Sequence, residues 1–500
     1  MHELLPALPA YLSGVLESFT YFKPEITLAI LFIVVIITDL LFGKNSEKLC
    51  RIVAFGGVLL IALQDFNQYP LVVISGEAIG HFFFYKMMLL APATIKFKIT
   101  IDVLAFIMIL WFEWDDKLSS HSKGLSDLYS IVIGSVFGLH LMAMAANLLS
   151  IYLAIELVSI ASYMMVAYHT ENIYSSEAGL KYVLFGAASS AIMLFGMSLL
   201  YAFTGTLTIY SGGFLGGLQS ADHATVSFTL VLTLVGLGFK LSFVPMHFWV
   251  PDVYEGAPTP VTAWLSTLPK IAGFALLVNF LGPFILAEKW SGFDFRLFFS
   301  VIGIITMIAG NFAAVLQTNV KRMLAYSSIG HTGFALMAVV TFDTKWNSAL
   351  VYYLAVYAIA NICALALASY FSNATSAEDT ESYQGLGHKF QAASVCFVIV
   401  LISLTGLPVT AGFTGKLFVF SAVYGIYSQN HNIWLLLLMI TGAVTTVVSL
   451  FYYIKIPLNL FLKRSENVIN RRNNSNNIIY LAIILSFFIF LLGMFPSLIY

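Results

Sequence analysis

Lys181, Lys240, Lys270 and Lys416 lie inside stretches that otherwise have the composition of membrane-spanning helices. An ammonium at bilayer depth costs about 2.5–3.5 kcal/mol on insertion scales. Four of them, with Glu156 among apolar neighbours, point to a chain that moves charge. Burial disfavours a charged lysine and a nearby carboxylate favours it. A lysine held between the two loads a proton and releases it when a neighbour moves. Imidazole titrates near neutral pH and suits a link between lysines, which makes His331 and His247 the candidate links.

Each residue also has a plainer reading. Lysines snorkel to an interface when they sit near a span end; this fits Lys181 better than Lys240 or Lys416, which have long apolar flanks. Glu156 and Lys181, on adjacent predicted spans, are expected to meet, either as part of the proton relay or as a static buried ion pair. His140 has no such context and reads as packing. Asp252 and Glu255 follow a predicted span and are expected in a tight loop, bonding backbone amides or gating proton entry, with the first role preferred. Lys321 and Arg322 read as an orientation signal.

The elements that position these groups contain helix breakers. Proline lacks an N–H and displaces the carbonyl four residues back, so Pro245 frees the carbonyl of Leu241, next to Lys240. Pro408, Gly412 and Gly415 invite a break just before Lys416, and Pro269 directly precedes Lys270. Unwound backbone at membrane depth survives only where it lines a cavity or protein interior. Interrupted helices at matching places in two halves point to a transport site.

The chain has 500 residues, 59% hydrophobic and only 10% charged, with a net charge of −1. Soluble domains carry about 25% charged residues, so this is an all-α polytopic membrane protein, and the charge balance argues against a nucleic-acid surface. Cys50, Cys363 and Cys396 have no metal-binding spacing and read as packing residues. There is no HExxH, no P-loop and no GxGxxG on a strand–turn–helix. The start, Met1-His2-Glu3-Leu4, lacks a basic signal-peptide region, so the first span is expected to insert uncleaved.

A span needs about 20 mostly apolar residues. Fourteen are expected: 24–42, 52–68, 98–114, 127–146, 148–169, 177–203, 224–249, 257–281, 297–315, 322–341, 346–371, 391–427, 433–459 and 477–499. Residues 69–97 are read as an interfacial segment. With the N-terminus outside, thirteen loop Lys and Arg fall on the inner side and seven on the outer, Lys98 being counted with the seven. The bias places both termini outside, with 463–477 as an inner loop. Residues 1–126 then carry three spans. Residues 127–281 and 297–459 form two five-helix units, the second upside down because five is odd, and 477–499 closes the chain.

Four runs carry a resemblance: Glu156-Leu157 with Ser159 and Tyr163; Lys181-Tyr182-x-Leu184-x-Gly186-Ala187-x-Ser189-Ser190; Phe239-Lys240-Leu241-Ser242 continuing through Pro245, His247 and Trp249 to Pro251-Asp252-Val253-Tyr254-Glu255-Gly256-Ala257-Pro258-Thr259-Pro260; and Asn319-x-Lys321-Arg322-Met323-Leu324-Ala325-Tyr326-Ser327-Ser328-Ile329-x-His331. Together they resemble the antiporter-like subunit N of NADH-quinone oxidoreductase (complex I), over roughly residues 145–460. The Pro24-Glu25 start also suits that family. The resemblance implies two inverted five-helix repeats, each with a discontinuous helix, and a proton channel in a bacterial inner membrane. It implies Glu156 and Lys181 as a modulating pair, Lys240 as the central lysine and Lys270 as the connecting lysine. His331 falls at the link to Lys416, the lysine of the second half-channel. It also implies that this chain carries no cofactor. NADH, flavin, iron–sulfur clusters and quinone would belong to partner subunits of the same complex. A cation/proton antiporter subunit of the multi-subunit type shares the fold and lysine array. An assembly subunit with an idle channel is a third reading.

Overall fold

The computed structural model describes residues 8–43, 46–74, 80–121, 124–287, 290, 292–342, 346–463 and 476–498. Helix α1 (Leu8–Tyr21) leads into α2 (Lys23–Phe42) and α3 (Ser46–Ile74). A hairpin of β1 (His81–Phe83) and β2 (Met88–Leu90) follows, then α4 (Pro92–Phe112) and the one-turn α5 (Asp116–Ser119). The next group is α6 (Ser126–Met144), α7 (Leu148–Val166), α8 (Ile173–Thr204), the short α9 (Gly212–Ser220), α10 (His223–Leu241), α11 (Trp249–Gly256) and α12 (Thr259–Leu286). The last is α13 (Phe295–Val315), α14 (Val320–Val339), α15 (Trp346–Thr375), α16 (Leu386–Lys389), α17 (Gln391–Thr405), α18 (Ala411–Asn430), α19 (Ile433–Tyr453), α20 (Lys455–Pro457) and α21 (Asn477–Met494).

Among the described residues, eleven helices are long and apolar enough to cross a membrane, so the chain is an all-helical, multi-pass membrane protein. Helix starts are set by short polar side chains that satisfy the first free amides. Asn147, Asn172, Asp222 and Asn319 cap α7, α8, α10 and α14 in this way. Helices α12 and α15 form the centre, with 83% and 94% of their apolar stretches buried against 22% for α2. The outward faces are apolar instead of polar: Leu180, Leu184 and Phe195 of α8 are all exposed, as lipid contact requires. Helices α13 and α14 approach closely at small residues; a Cβ on Gly310 would collide with the Gly330 backbone nitrogen. That contact fixes the helix that carries His331.

Three expectations change. Helix α1 precedes the first predicted span. The stretch 69–97 is not one interfacial segment: α3 continues through Pro70 to Ile74, the strand hairpin follows, and α4 starts at Pro92. Proline at a first helical position loses no hydrogen bond there, which explains the early start. Lys98 therefore lies inside a helix, 0% exposed, and not at the outer edge. Lys44, Lys123, Lys289, Lys345 and residues 464–475 of the expected inner loop lie outside the described residues.

Candidate functional site

Helix α10 ends at Leu241, one residue after Lys240, where Ser242 turns left-handed. Residues 242–248 are unwound and α11 resumes at Trp249. Lys240 is 3% exposed and its Nζ has no hydrogen-bond partner among the described residues. It lies 5.9 Å from the centre of the Tyr182 ring, a cation–π contact. Trp249 stacks on that ring at 4.5 Å and donates its indole N–H to the Phe239 carbonyl, so both ends of the break hold the lysine's pocket. Glu156 lies on α7, and its Oε1 is buried with no hydrogen-bond partner among the described residues.

The Leu241 carbonyl, freed as the Pro245 argument requires, accepts the Thr332 hydroxyl at 3.0 Å. The same hydroxyl oxygen accepts Lys270 Nζ at 3.0 Å. Lys270 also donates to the Ser328 carbonyl at 2.8 Å and to Ser328 Oγ at 2.6 Å. Three oxygens thus replace water around an ammonium that is 2% exposed. Pro269 sits within α12, and the carbonyl it leaves free, that of Leu265, accepts the Tyr254 hydroxyl at 3.1 Å. Both carbonyls that the prolines leave free accept side chains from other segments, as buried backbone demands.

From Lys270 the polar contacts continue. The Tyr357 hydroxyl donates to Ser328 Oγ at 2.7 Å, and its ring packs 4.8 Å from that of His331. His331 Nδ1 meets the Tyr353 hydroxyl at 2.8 Å, while Nε2 faces the Tyr453 hydroxyl at 3.4 Å. His331 and Lys416 line one cavity of about 10 Å³, close to the room one water needs. Lys416 donates to the Thr405 carbonyl at 2.8 Å. That carbonyl belongs to the last residue of α17, at the break that residues 406–410, with Pro408, make before α18. One lysine precedes its break and the other follows it.

Lys181 and Glu156 do not form the expected pair. Lys181 Nζ bonds Glu177 at 2.8 Å and Asp252 at 3.0 Å, and its side chain is 38% exposed. It lines a cavity of about 720 Å³ with Lys117, His169, Glu255, Lys321, Arg322 and Glu378. Glutamate four residues before lysine on one helix captures it locally, a competitor the sequence already contained. Asp252 and Glu255 bond Arg322 at 2.8 and 2.7 Å rather than backbone amides. Arg322 is therefore part of this knot and not only an orientation signal. Burial would raise the Asp252 carboxyl, but hydrogen bonds from Lys181 and Arg322 outweigh it and hold the group below the usual carboxylate range. His247 lies in the first break, half-buried beside exposed Phe248, and its Nδ1 meets no partner among the described residues. It is not joined to the lysines.

One group was missed. Lys98 Nζ lies 2.6 Å from Glu25 and 2.7 Å from Asp65, and His140 bridges Glu25 at 3.1 Å and Asp102 at 2.9 Å. All five side chains are buried. The available signal was the pair of aspartates inside predicted spans, Asp65 and Asp102, each as costly there as a lysine.

Residues 145–449 match the family described as NADH:quinone oxidoreductase/Mrp antiporter, transmembrane. The chain is 38% identical over 451 residues to NADH-quinone oxidoreductase subunit N 2 of Chloroherpeton thalassium, covering 89% of this chain and 86% of that one. Among solved structures it is similar to a chain of respiratory complex I from Thermus thermophilus, at 25% identity and TM-score 0.76, covering 95% and 98% of the two chains. A chain of the Mrp complex from a Dietzia species has the same fold at 19% identity and TM-score 0.79, covering 97% and 95%.

Proposed function

This chain belongs to the NADH:quinone oxidoreductase/Mrp antiporter family, and we propose that it is the subunit N type of membrane-arm subunit, carrying protons across the membrane while partner subunits pass electrons from NADH to quinone. The observation that carries the reading is the buried line that starts at the Leu241 carbonyl beside Lys240, runs by hydrogen bonds through Thr332, Lys270, Ser328 and Tyr357, and continues by ring packing to His331 and the cavity it shares with Lys416. The cavity around Lys181 and Asp252 is the aqueous mouth, with the inner side as its source. Lys181 acts there as a gate residue, held by Asp252, in place of pairing with Glu156.

In this reading loading of Lys240 is coupled through the Leu241 carbonyl and Thr332 to Lys270, and the proton released from Lys270 leaves through His331 to Lys416. The lysines share one buried line, so a charge on one disfavours a like charge on the next. A change at either break moves a freed carbonyl and alters that balance. The eleven apolar helices, with α4, α14 and the α17–α18 pair, make fourteen crossings, and 127–281 and 297–459 are the inverted repeats. Both termini lie outside a bacterial inner membrane. The chain supplies no redox group. Electron chemistry belongs to its partners.

The test is co-purification from native membranes in mild detergent. Flavin and iron–sulfur subunits with NADH-quinone reductase activity are expected to accompany the chain. Only other antiporter subunits, without redox activity, would make it an ion exchanger driven by a cation gradient. In the assembled complex Lys240→Ala is expected to abolish most quinone-linked pumping. Normal pumping with intact assembly would remove Lys240 from the relay.

A further inference from the structure

Glu25 near the start of α2, Asp65 on α3, Lys98 and Asp102 on α4 and His140 near the end of α6 meet at one point away from the lysine line. The contacts themselves count protons. His140 faces a carboxylate oxygen from each ring nitrogen, Glu25 at 3.1 Å and Asp102 at 2.9 Å. A neutral imidazole has one N–H, so two protons must lie along these two contacts, whether as imidazolium or as imidazole with one carboxylic acid. With Lys98 charged, that leaves three carboxylates against two positive groups: a net charge of −1 in a pocket where every side chain is 0% exposed. An uncompensated charge at that depth is strongly disfavoured.

The geometry also shows where compensation is missing. Glu25 Oε2, Asp65 Oδ2 and Asp102 Oδ2 are buried and make no hydrogen bond among the described residues. Asp65 is the one of the three acids without a close imidazole contact, and neither of its oxygens makes a hydrogen bond among the described residues. It touches Lys98 at 2.7 Å and stands 3.8 Å from His140, whereas Glu25 and Asp102 each have a close imidazole contact. We propose that this five-residue cluster is a second proton-binding site, and that Asp65 is the position where its exchangeable proton is taken up and released.

A metal ion fits less well. Glu25, Asp65 and His140 do bring ligand atoms within 4.8 Å of one another. However, both His140 nitrogens are engaged by carboxylates, and the Lys98 ammonium already fills the space between Glu25 and Asp65. A proton completes the charge and adds no second cation beside Lys98. An apolar layer then controls access. Phe22, Tyr69, Ile95 and Met144 pack around Phe83 of the hairpin. They lie three or four residues from Glu25, Asp65, Lys98 and His140 respectively, one helical turn toward the hairpin. Exchange on that side requires the hairpin to yield.

The site does not rest on the relay reading, and its test needs no turnover. The chain, purified with whatever subunits accompany it, is examined by infrared difference spectroscopy during a pH change, as wild type, Asp65→Asn and Asp65→Glu. A carboxylic-acid carbonyl band is expected in the wild type, lost in Asp65→Asn and displaced in Asp65→Glu. Superimposable spectra would overturn the proposal. If Asp65→Asn does not fold, Asp65→Glu decides alone, and an undisplaced band overturns it. A wild-type band driven by sodium at constant pH would also overturn it, because the exchanged cation would not be a proton.

Discussion

Thr332 gives its hydroxyl proton to the Leu241 carbonyl at 3.0 Å while accepting Lys270 at 3.0 Å. One small side chain on α14 thereby joins the broken end of α10 to the lysine of α12. Valine has the same shape without the hydroxyl, so Thr332→Val removes both contacts and keeps the packing. Losing one buried hydrogen bond costs about 0.5–1.5 kcal/mol, which corresponds to a roughly 2- to 12-fold slower transfer if it falls on the barrier. Proton pumping by the assembled complex is expected to fall by that order in Thr332→Val and to be largely kept in Thr332→Ser. Equal pumping in all three proteins would break the link between Lys240 and Lys270.

Tyr357 holds the next step. Its hydroxyl donates to Ser328 Oγ, which also receives Lys270, and its ring packs on His331. Tyr357→Phe keeps the ring and loses the hydroxyl. The chain is expected to assemble normally, pump several-fold more slowly and leave electron transfer in uncoupled membranes near normal. If electron transfer falls equally after uncoupling, the residue serves stability rather than proton movement.

The lysine spacing, the two breaks and the freed Leu241 carbonyl were legible because each depends on residues close in sequence. Proline five residues after Lys240 and before Lys270 states its effect locally. What was not legible came from long-range competition. Lys181 had two acids to choose from, Glu156 on the preceding helix and Glu177 four residues back, and a third, Asp252, arrives only through the fold. Lys98 was placed at the outer edge of the span 98–114 because that apolar run starts there, yet its partners lie at 25 and 65. No local pattern encodes a cluster drawn from four helices.

The knot of Asp252, Glu255 and Arg322 predicts an acid limb. Asp252 is held below its unfolded range, so its contribution is present above the unfolded value and is lost as pH falls through the folded one. Arg322→Gln removes one of the two cations that hold it there. The acid midpoint of thermal stability is therefore expected to move to higher pH. At these half-exposed positions the loss at neutral pH is on the order of 1 kcal/mol or less. An acid limb in the same place for both proteins would show that the ion pairs carry no folding energy.

Gly406 tests the second break. It ends α17 with φ at +85°, a conformation that a side chain resists. A Cβ there would also lie 2.7 Å from Lys416 Cδ and 3.3 Å from its Nζ. Gly406→Ala therefore meets two obstacles. The backbone term costs about 1–2 kcal/mol, and the contact pushes the ammonium away from the Thr405 carbonyl it now holds at 2.8 Å. Both lower stability, but only the second touches transport. Restoring stability with a bound lipid or lower temperature is expected to recover assembly in Gly406→Ala and not pumping. Recovery of both together would mean that the close fit of Lys416 against the break serves folding alone.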